Sequence, residues 1–134
     1  LEEAAVLQPL RAAGLQQILL AAPTTAAARL GPLGKAVEGF LYYVSVAGTT
    51  GNRHMSADDV AVHVAQLRQY TDKPVAVGFG IRDAAGAKAL ARFANAVVIG
   101  SALVDALDGA TTAAAIAARA REFLAPIRTA LDTP

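Results

Sequence analysis

Short apolar runs alternate along the chain with longer stretches of helical character. Four runs are rich in β-branched or aliphatic residues and are bounded by turn residues: 17–21 (QILLA), 40–44 (FLYYV), 74–78 (PVAVG) and 96–99 (AVVI). Each run is too short for a stable helix and is largely apolar rather than alternating, which is typical of parallel strands covered on both faces. We therefore predict four buried strands over these ranges.

Helical stretches lie between and around the predicted strands. We predict helices over 4–13, 25–37, 56–70, 83–93 and 101–107, and a longer Ala-rich helix from about 112 onward. Ser56 and Asp59 have capping-box spacing, and Asp83 stands where an N-cap is expected. Gly14 is expected to stop the first helix, and Pro126 is expected to end or kink the last one.

The spacing of the strands predicts how they are connected. Roughly 17 to 29 residues separate one strand from the next, which is enough for the crossover that parallel strands require. Strand–helix alternation repeated four times predicts a parallel α/β sheet with right-handed crossovers. Since no linker-like segment interrupts the chain, residues 1–134 are predicted to form a single domain.

Composition excludes several classes of protein. Hydrophobic residues make up 54% and charged residues 17% of the chain, which excludes intrinsic disorder. The apolar runs are too short for a membrane span, and a net charge of +1 with interspersed signs predicts neither a nucleic-acid nor a membrane partner. The absence of Cys excludes disulfides and Cys-based zinc sites, and it is compatible with the cytoplasmic location that we expect.

Two adjacent strand–helix loops carry glycines at the carboxyl ends of predicted strands, where function gathers in parallel α/β folds. Gly80 follows the third strand, and Gly100 with Ser101 follows the fourth. Glycine lets backbone N–H groups approach an anion, and a helix N-terminus adds further donors. This pair predicts the phosphate site of a (β/α)₈ barrel, formed after strands seven and eight. The alternative is that the glycines only permit tight turns.

Candidate acid and base groups are missing from the same ends. Asp83 is expected to cap a helix, and Asp59 lies in a first helical turn, so no carboxylate is expected at the carboxyl end of a strand. His63 falls inside a helix and is expected to be packed or on the surface. The long polar loop 45–55 is predicted to act as a lid or to be a surface loop. We therefore predict no catalytic residue, no metal site and no cofactor in this chain.

Four motifs follow one another along the chain: 18–25 (ILLAAPTT), 39–51 (GFLYYVSVAGTTG), 74–81 (PVAVGFGI) and 97–104 (VVIGSALV). In their order and spacing, from about residue 1 to 107, they resemble the tryptophan synthase alpha chain family. The resemblance implies a (β/α)₈ TIM barrel of which this chain is the C-terminal half, with strands five to eight. It also implies the lyase reaction of that family, in which indole-3-glycerol phosphate is cleaved to indole and glyceraldehyde 3-phosphate. The implied partner is a beta chain, in an alpha2-beta2 complex.

The same resemblance implies which residues bind the phosphorylated substrate. Backbone groups and one hydroxyl would hold the phosphate, at Gly51, Gly80, Gly100 and Ser101. The other implied roles are those of Tyr42 in the indole-glycerol pocket, Phe79 beside the substrate and Thr50 in positioning a catalytic aspartate. Loop 45–55 departs from the family at Thr49, where Val is usual. The resemblance leaves the roles of Arg53 and His54 open.

The adjacent tyrosines of the second strand should face opposite ways, because side chains alternate along a strand. One of Tyr42 and Tyr43 is thus expected in the barrel interior and the other toward the helices.

The family's catalytic Glu and Asp belong to the other half of the barrel, so the chain alone is expected to be inactive. Its only Met is Met55, which agrees with a processed chain or a piece of a longer one.

Two alternative functions stay open at this point. One is another phosphate-binding barrel enzyme of amino-acid or histidine biosynthesis, since such enzymes share the glycine pattern of the phosphate loops. The segment 42–51 favours the tryptophan synthase hypothesis over this alternative. The other alternative is a non-catalytic half-barrel that dimerises to close its sheet, because half a barrel leaves two strand edges unpaired.

Overall fold

A computed structural model describes residues 4–45, 56–78 and 80–133 of the chain. Helices and strands alternate along these residues. In chain order they are α1 (Ala4–Ala12), β1 (Leu19–Ala21), α2 (Ala27–Ala36), β2 (Leu41–Val44), α3 (Ala57–Leu67), β3 (Val75–Gly78), α4 (Ala84–Ala91), β4 (Ala96–Val98), α5 (Ser101–Leu107) and α6 (Ala113–Asp132).

Each predicted strand and helix is present, and most are shorter than predicted by one to three residues at an end. Gly14 adopts a positive φ of 72° just beyond α1, as a helix stop requires. The helix does not end at Pro126, because α6 continues through this residue to Asp132, and the alternative of a kink there stays a prediction. Pro126 and Glu122 are both exposed, so water can solvate the Glu122 carbonyl that loses its helical donor.

The four strands form one parallel sheet in the order β1-β2-β3-β4, which confirms the predicted parallel α/β topology. Leu20 is in register with Tyr42, Tyr42 with Ala76 and Ala76 with Ala96. Because the strands are parallel and in register, their carboxyl ends lie along one edge of the sheet. Every strand–helix loop described above therefore starts from that edge.

One face of the sheet packs against the helices and forms the core. Tyr43 and Val77 lie on this face and are 1% and 0% exposed. The helices contribute the other side of the core, with Leu30, Val60, Val64, Leu90 and Ile127. Burying these side chains on one face of the sheet supplies the main hydrophobic stabilisation of the chain.

The opposite face of the sheet carries a row of mostly apolar residues, which we call the inner row. Its members are Leu20, Tyr42, Val44, Ala76, Gly78, Ala96 and Val98. Leu20 is 58% exposed and Val98 is 37% exposed. The prediction that both faces are covered is therefore wrong for the described residues, because the core helices lie on one face only. None of the helices in the described ranges is both long and apolar enough to cross a membrane.

Helix α2 contains two glycines, and one of them is required by a close contact. A Cβ on Gly34 would lie 2.2 Å from the backbone oxygen of Tyr70, which follows α3. A Cβ on Gly31 would meet only Tyr70 Cδ1, at 4.0 Å. Helix α2 can therefore approach the end of α3 this closely only because residue 34 has no side chain.

We expect Gly34→Ala to destabilise the chain by about 1–3 kcal/mol, since the new methyl group forces α2 away from Tyr70. Gly31→Ala is the matched control on the same helix and should stabilise the chain by about 0.5–1 kcal/mol, because alanine favours the helical backbone. Urea unfolding of both variants measures the difference. Equal changes in the free energy of unfolding would show that the close contact is unimportant.

Candidate functional site

The loops that follow β3 and β4 lie side by side at the carboxyl edge of the sheet. Gly78 and Val98 are in register at the ends of these strands, and Gly80 and Gly100 each come two residues later. Gly80 has a φ of +49°, in the left-handed region that favours glycine. A Cβ built on Gly80 or on Gly100 meets nothing within 4 Å among the described residues. No described residue therefore occupies the place beside either backbone where a side chain would begin.

Gly100 also begins helix α5. Its carbonyl accepts from the backbone N–H of Leu103 at 3.0 Å and of Val104 at 3.2 Å, and its φ of −115° is non-helical, as at an N-cap. Ser101 is the first helical residue and is exposed. The first N–H groups of a helix have no acceptor within the helix, so they are free to bind an anion.

The structure thus brings Gly80, Gly100 and Ser101 to one edge of the sheet, as the sequence predicts. Three other predicted site residues, Thr50, Gly51 and Phe79, lie outside the described residues. The same is true of Arg53 and His54, in the loop before α3.

Tyr42 is the fourth described site residue, and it belongs to the inner row. It is half-buried, whereas its neighbour Tyr43 is buried on the helical face and stacks on His63 with ring centroids 5.8 Å apart. This arrangement confirms that the two tyrosines face opposite ways and that His63 is a packed residue. Burial raises the pKa of Tyr43 to about 12.

Gly78 contacts the predicted site residue Tyr42, and the sequence analysis missed this contact. A Cβ on Gly78 would lie 2.3 Å from Tyr42 Oη and 2.9 Å from Tyr42 Cε2. The Tyr42 ring therefore lies directly against the Gly78 backbone, across the β2–β3 pair. A glycine inside a strand is a known sign of such a close approach, and this was the signal available in the sequence.

Ser45 connects β2 to the same glycine. It is 5% exposed, and both its backbone N–H and its hydroxyl donate to the Gly78 carbonyl, at 3.1 Å and 2.9 Å. These bonds extend the pairing of β2 and β3 beyond the last strand residues. The backbone that leads into the Gly80 loop is therefore held from both sides, by Ser45 and by Tyr42.

The start of α3 is fixed by the predicted capping box. Ser56 Oγ accepts from the Asp59 backbone N–H at 3.1 Å, and Asp59 accepts from the Ser56 backbone N–H at 3.0 Å. Hydrogen bonds from the backbone and the hydroxyl of Ser56 lower the pKa of the Asp59 carboxyl. This carboxylate is occupied in capping and does not face the site.

Asp83 has the capping role that the sequence analysis predicts. Asp83 caps α4 by accepting from the Gly86 backbone N–H at 2.8 Å, while Asp105 lies in α5 and Asp108 at its C-cap. Within the ranges that the structure describes, no group of three or more His, Asp or Glu side chains could hold a metal ion. The Asp83 carboxylate is therefore occupied in capping α4.

Comparison with known proteins places this chain among relatives of one kind. The family profile described as tryptophan synthase alpha chain matches residues 1–131. The tryptophan synthase alpha chain of Xylella fastidiosa strain 9a5c is 49% identical over 132 residues, which cover 98% of this chain and 49% of the relative. That of Ralstonia nicotianae is 46% identical over 92% of this chain and 46% of the relative.

Solved structures give the same result. The tryptophan synthase subunit alpha of Legionella pneumophila matches with a TM-score of 0.81 and 30% identity, over 99% of this chain and 48% of that chain. A Mycobacterium tuberculosis tryptophan synthase structure matches with a TM-score of 0.81 and 31% identity, over the same shares. The four-stranded sheet is therefore part of a (β/α)₈ barrel, as predicted.

The chain spans about half the length of the relatives that it matches. A matched share of one half is compatible with either half of a relative. The prediction that this is the C-terminal half therefore stays a prediction.

We expect the contact between Tyr42 and Gly78 to couple these two positions energetically. Gly78→Ala should destabilise the chain by about 1–3 kcal/mol, because the methyl group displaces the tyrosine ring. In a Tyr42→Leu background the same change should cost less, by at least about 0.5 kcal/mol. A double-mutant cycle in urea measures the coupling, and Gly100→Ala serves as the control with free space for its Cβ. Equal costs in both backgrounds would contradict the contact.

Proposed function

Because this chain belongs to the tryptophan synthase alpha chain family, we propose that it supplies half of a lyase active site. The reaction is the aldol cleavage of indole-3-glycerol phosphate to indole and glyceraldehyde 3-phosphate. The observation that carries the proposal is the pair of glycine loops after β3 and β4, which leave open space in front of Gly80 and Gly100 at one sheet edge. Donors from these loops suit the phosphate of that substrate.

We assign β1–β4 to strands five to eight of the family barrel, which makes this chain the C-terminal half. Helix α5 supports the assignment. Phosphate sites of (β/α)₈ barrels lie after strands seven and eight and often use the N-terminus of a short extra helix. Helix α5 has seven residues and lies between β4 and the 20-residue α6, as such an extra helix would.

In this assignment the substrate lies across the carboxyl edge of the sheet. The phosphate is held at Gly51, Gly80, Gly100 and Ser101. Tyr42 lines the pocket for the indole-glycerol part, from the inner row and against Gly78. Phe79 lies beside the substrate, and Thr50 helps to position a catalytic aspartate. These roles follow from the matching positions of the family motif.

The other half of the barrel would supply the catalytic carboxylates. The described carboxylates that lie nearest the sheet edge, such as that of Asp83, cap helices instead. The complete protein would be a cytoplasmic enzyme that needs no cofactor for the cleavage, and it would act together with the tryptophan synthase beta chain. This chain's own contribution is substrate binding rather than proton transfer.

Turnover of indole-3-glycerol phosphate tests whether the catalytic acids lie in the other half of the barrel. We expect the 134-residue chain alone to release no indole, because a carboxylate acid–base pair is missing from its site. Co-expressing it with the N-terminal half of a related alpha chain should restore indole release. Substantial turnover by the chain alone would contradict the proposal that its acids lie in the other half.

Binding of glycerol 3-phosphate tests the phosphate site directly. Gly100→Asp should weaken binding by more than about tenfold, because it places a negative charge beside the phosphate where charged hydrogen bonds contribute on the order of 1.5–3 kcal/mol. The Cβ of the new side chain meets nothing within 4 Å among the described residues. Gly100→Asn, equal in size and neutral, is the control and should weaken binding less. Unchanged affinity in the Asp variant, measured by NMR titration, would refute the site.

The exposed inner row also fits the alternative of a half-barrel that dimerises without catalysis. Leu20 and Val98 are exposed, and β1 and β4 are the edge strands of the described sheet. Light scattering of the isolated chain distinguishes the two functions. A well-defined dimer favours the dimerising module, whereas aggregation favours half of an enzyme.

A further inference from the structure

We propose that a cavity between α2 and α3 is a further binding site, which takes a short uncharged polyol. The cavity has a volume of about 200 Å³ and extends to the residues that follow β1. Its lining includes Tyr43, which lies on the helical face of the sheet, whereas Tyr42 belongs to the inner row on the opposite face. The site is therefore separate from the proposed phosphate site, and the proposal does not rest on the proposed function.

The lining of the cavity joins buried apolar surface to solvent. Leu30, Leu67 and Tyr43 are buried, with 5%, 4% and 1% of their surface exposed. Thr25 and His63 are half-buried. Among the described residues no Lys, Arg, Asp or Glu lines the cavity. A charged ligand would lose its hydration there without meeting an opposite charge, so the cavity favours an uncharged one.

The hydroxyl group of Tyr43 is buried and has no hydrogen-bond partner within the part of the chain that the structure describes. Buried hydroxyl groups are normally paired, because an unpaired one has lost its bonds to water without replacement. One water needs only about 10–15 Å³, whereas a cavity of about 150 Å³ holds a molecule as large as benzene. The cavity beside Tyr43 therefore has room for a small organic ligand, whose oxygen would accept the missing hydrogen bond.

His63 supplies an acceptor next to this donor. Its Nδ1 lies 2.8 Å from the carbonyl oxygen of Asp59, and because a carbonyl only accepts, Nδ1 carries the proton. The neutral ring then has Nε2 as an acceptor. The rings of His63 and Tyr43 are stacked, with their planes 21° apart, and both residues line the cavity. A hydroxyl group, which both donates and accepts, complements this pair.

Thr25 favours a ligand with more than one hydroxyl group. Its Oγ1 accepts from the Ala22 backbone N–H at 2.9 Å, which leaves the hydroxyl proton of Thr25 to donate. Thr25 lines the cavity from the segment after β1, and His63 lines it from α3. A short polyol such as glycerol therefore has one hydroxyl for Tyr43 and His63 and another for Thr25.

Titration of glycerol into the ¹⁵N-labelled chain, followed by NMR, tests the site. We expect saturable shifts of backbone amide signals around the cavity, such as those of Leu30 and His63. Glycerate, a polyol of similar size with a carboxylate, should bind more than about tenfold more weakly, because its charge meets no cation in the cavity. Shifts that rise linearly with glycerol, as a solvent effect does, or equal affinity for glycerate would overturn the proposal.

Tyr43→Phe removes only the hydroxyl and should weaken glycerol binding about three- to tenfold, the range for one hydrogen bond. Because this hydroxyl has no partner among the described residues, the free energy of unfolding without ligand should not fall. Tyr70→Phe is the matched control, since Tyr70 is 38% exposed and does not line the cavity, and it should bind as the wild type does. Unchanged affinity in Tyr43→Phe would overturn the proposal.

A second pair of variants decides the case in which Tyr43→Phe does not fold. Ala27 lines the cavity at the start of α2, so Ala27→Leu should narrow the cavity and weaken binding. Ala28→Leu makes the same change at the next exposed position of α2, which does not line the cavity, and should leave the affinity unchanged. Equal affinities of these two variants for glycerol would show that the ligand binds elsewhere.

Discussion

Parallel pairing of four short strands is the constraint on which the rest of this structure depends. In-register parallel hydrogen bonding places all four carboxyl ends on one edge of the sheet and requires a helix to return the chain each time. Loops that are far apart in sequence therefore start side by side. The Gly80 and Gly100 loops are neighbours because of this geometry alone, without any ligand.

The strands are only three or four residues long, so backbone pairing alone cannot hold them in place. Close approaches between elements provide the additional restraint. Helix α2 lies against the backbone of Tyr70 at Gly34, and Tyr42 lies against Gly78. In both places the absence of a side chain allows contact with backbone or ring. The fold and the candidate site therefore use the same means to bring chain segments together.

Local features of this chain could be predicted from the sequence because their causes are local. The capping box of Ser56 and Asp59, the N-cap at Asp83 and the stop at Gly14 each depend on residues within one turn of helix. The sequence left open whether α6 ends at Pro126, because the tolerance of a helix for proline depends on solvent access to a carbonyl one turn earlier. A sequence pattern contains no direct information on that access.

The positions of Gly80, Gly100 and Ser101 were predictable because each immediately follows a recognisable strand. The contact of Ser45 with Gly78 was not, because it joins residues 33 positions apart. The prediction that both faces of the sheet are covered failed for a related reason. An apolar run indicates that a strand will be buried, but it does not say whether the covering atoms belong to the same chain, and here the inner row remains open at Leu20 and Val98.

Because the inner row is open, the free energy of unfolding of this chain depends on the concentration of whatever binds to that face. Whatever covers that face binds the folded state and not the unfolded one, so it raises the free energy of unfolding by an amount that grows with its concentration. A melting temperature measured for the isolated chain therefore describes one concentration only.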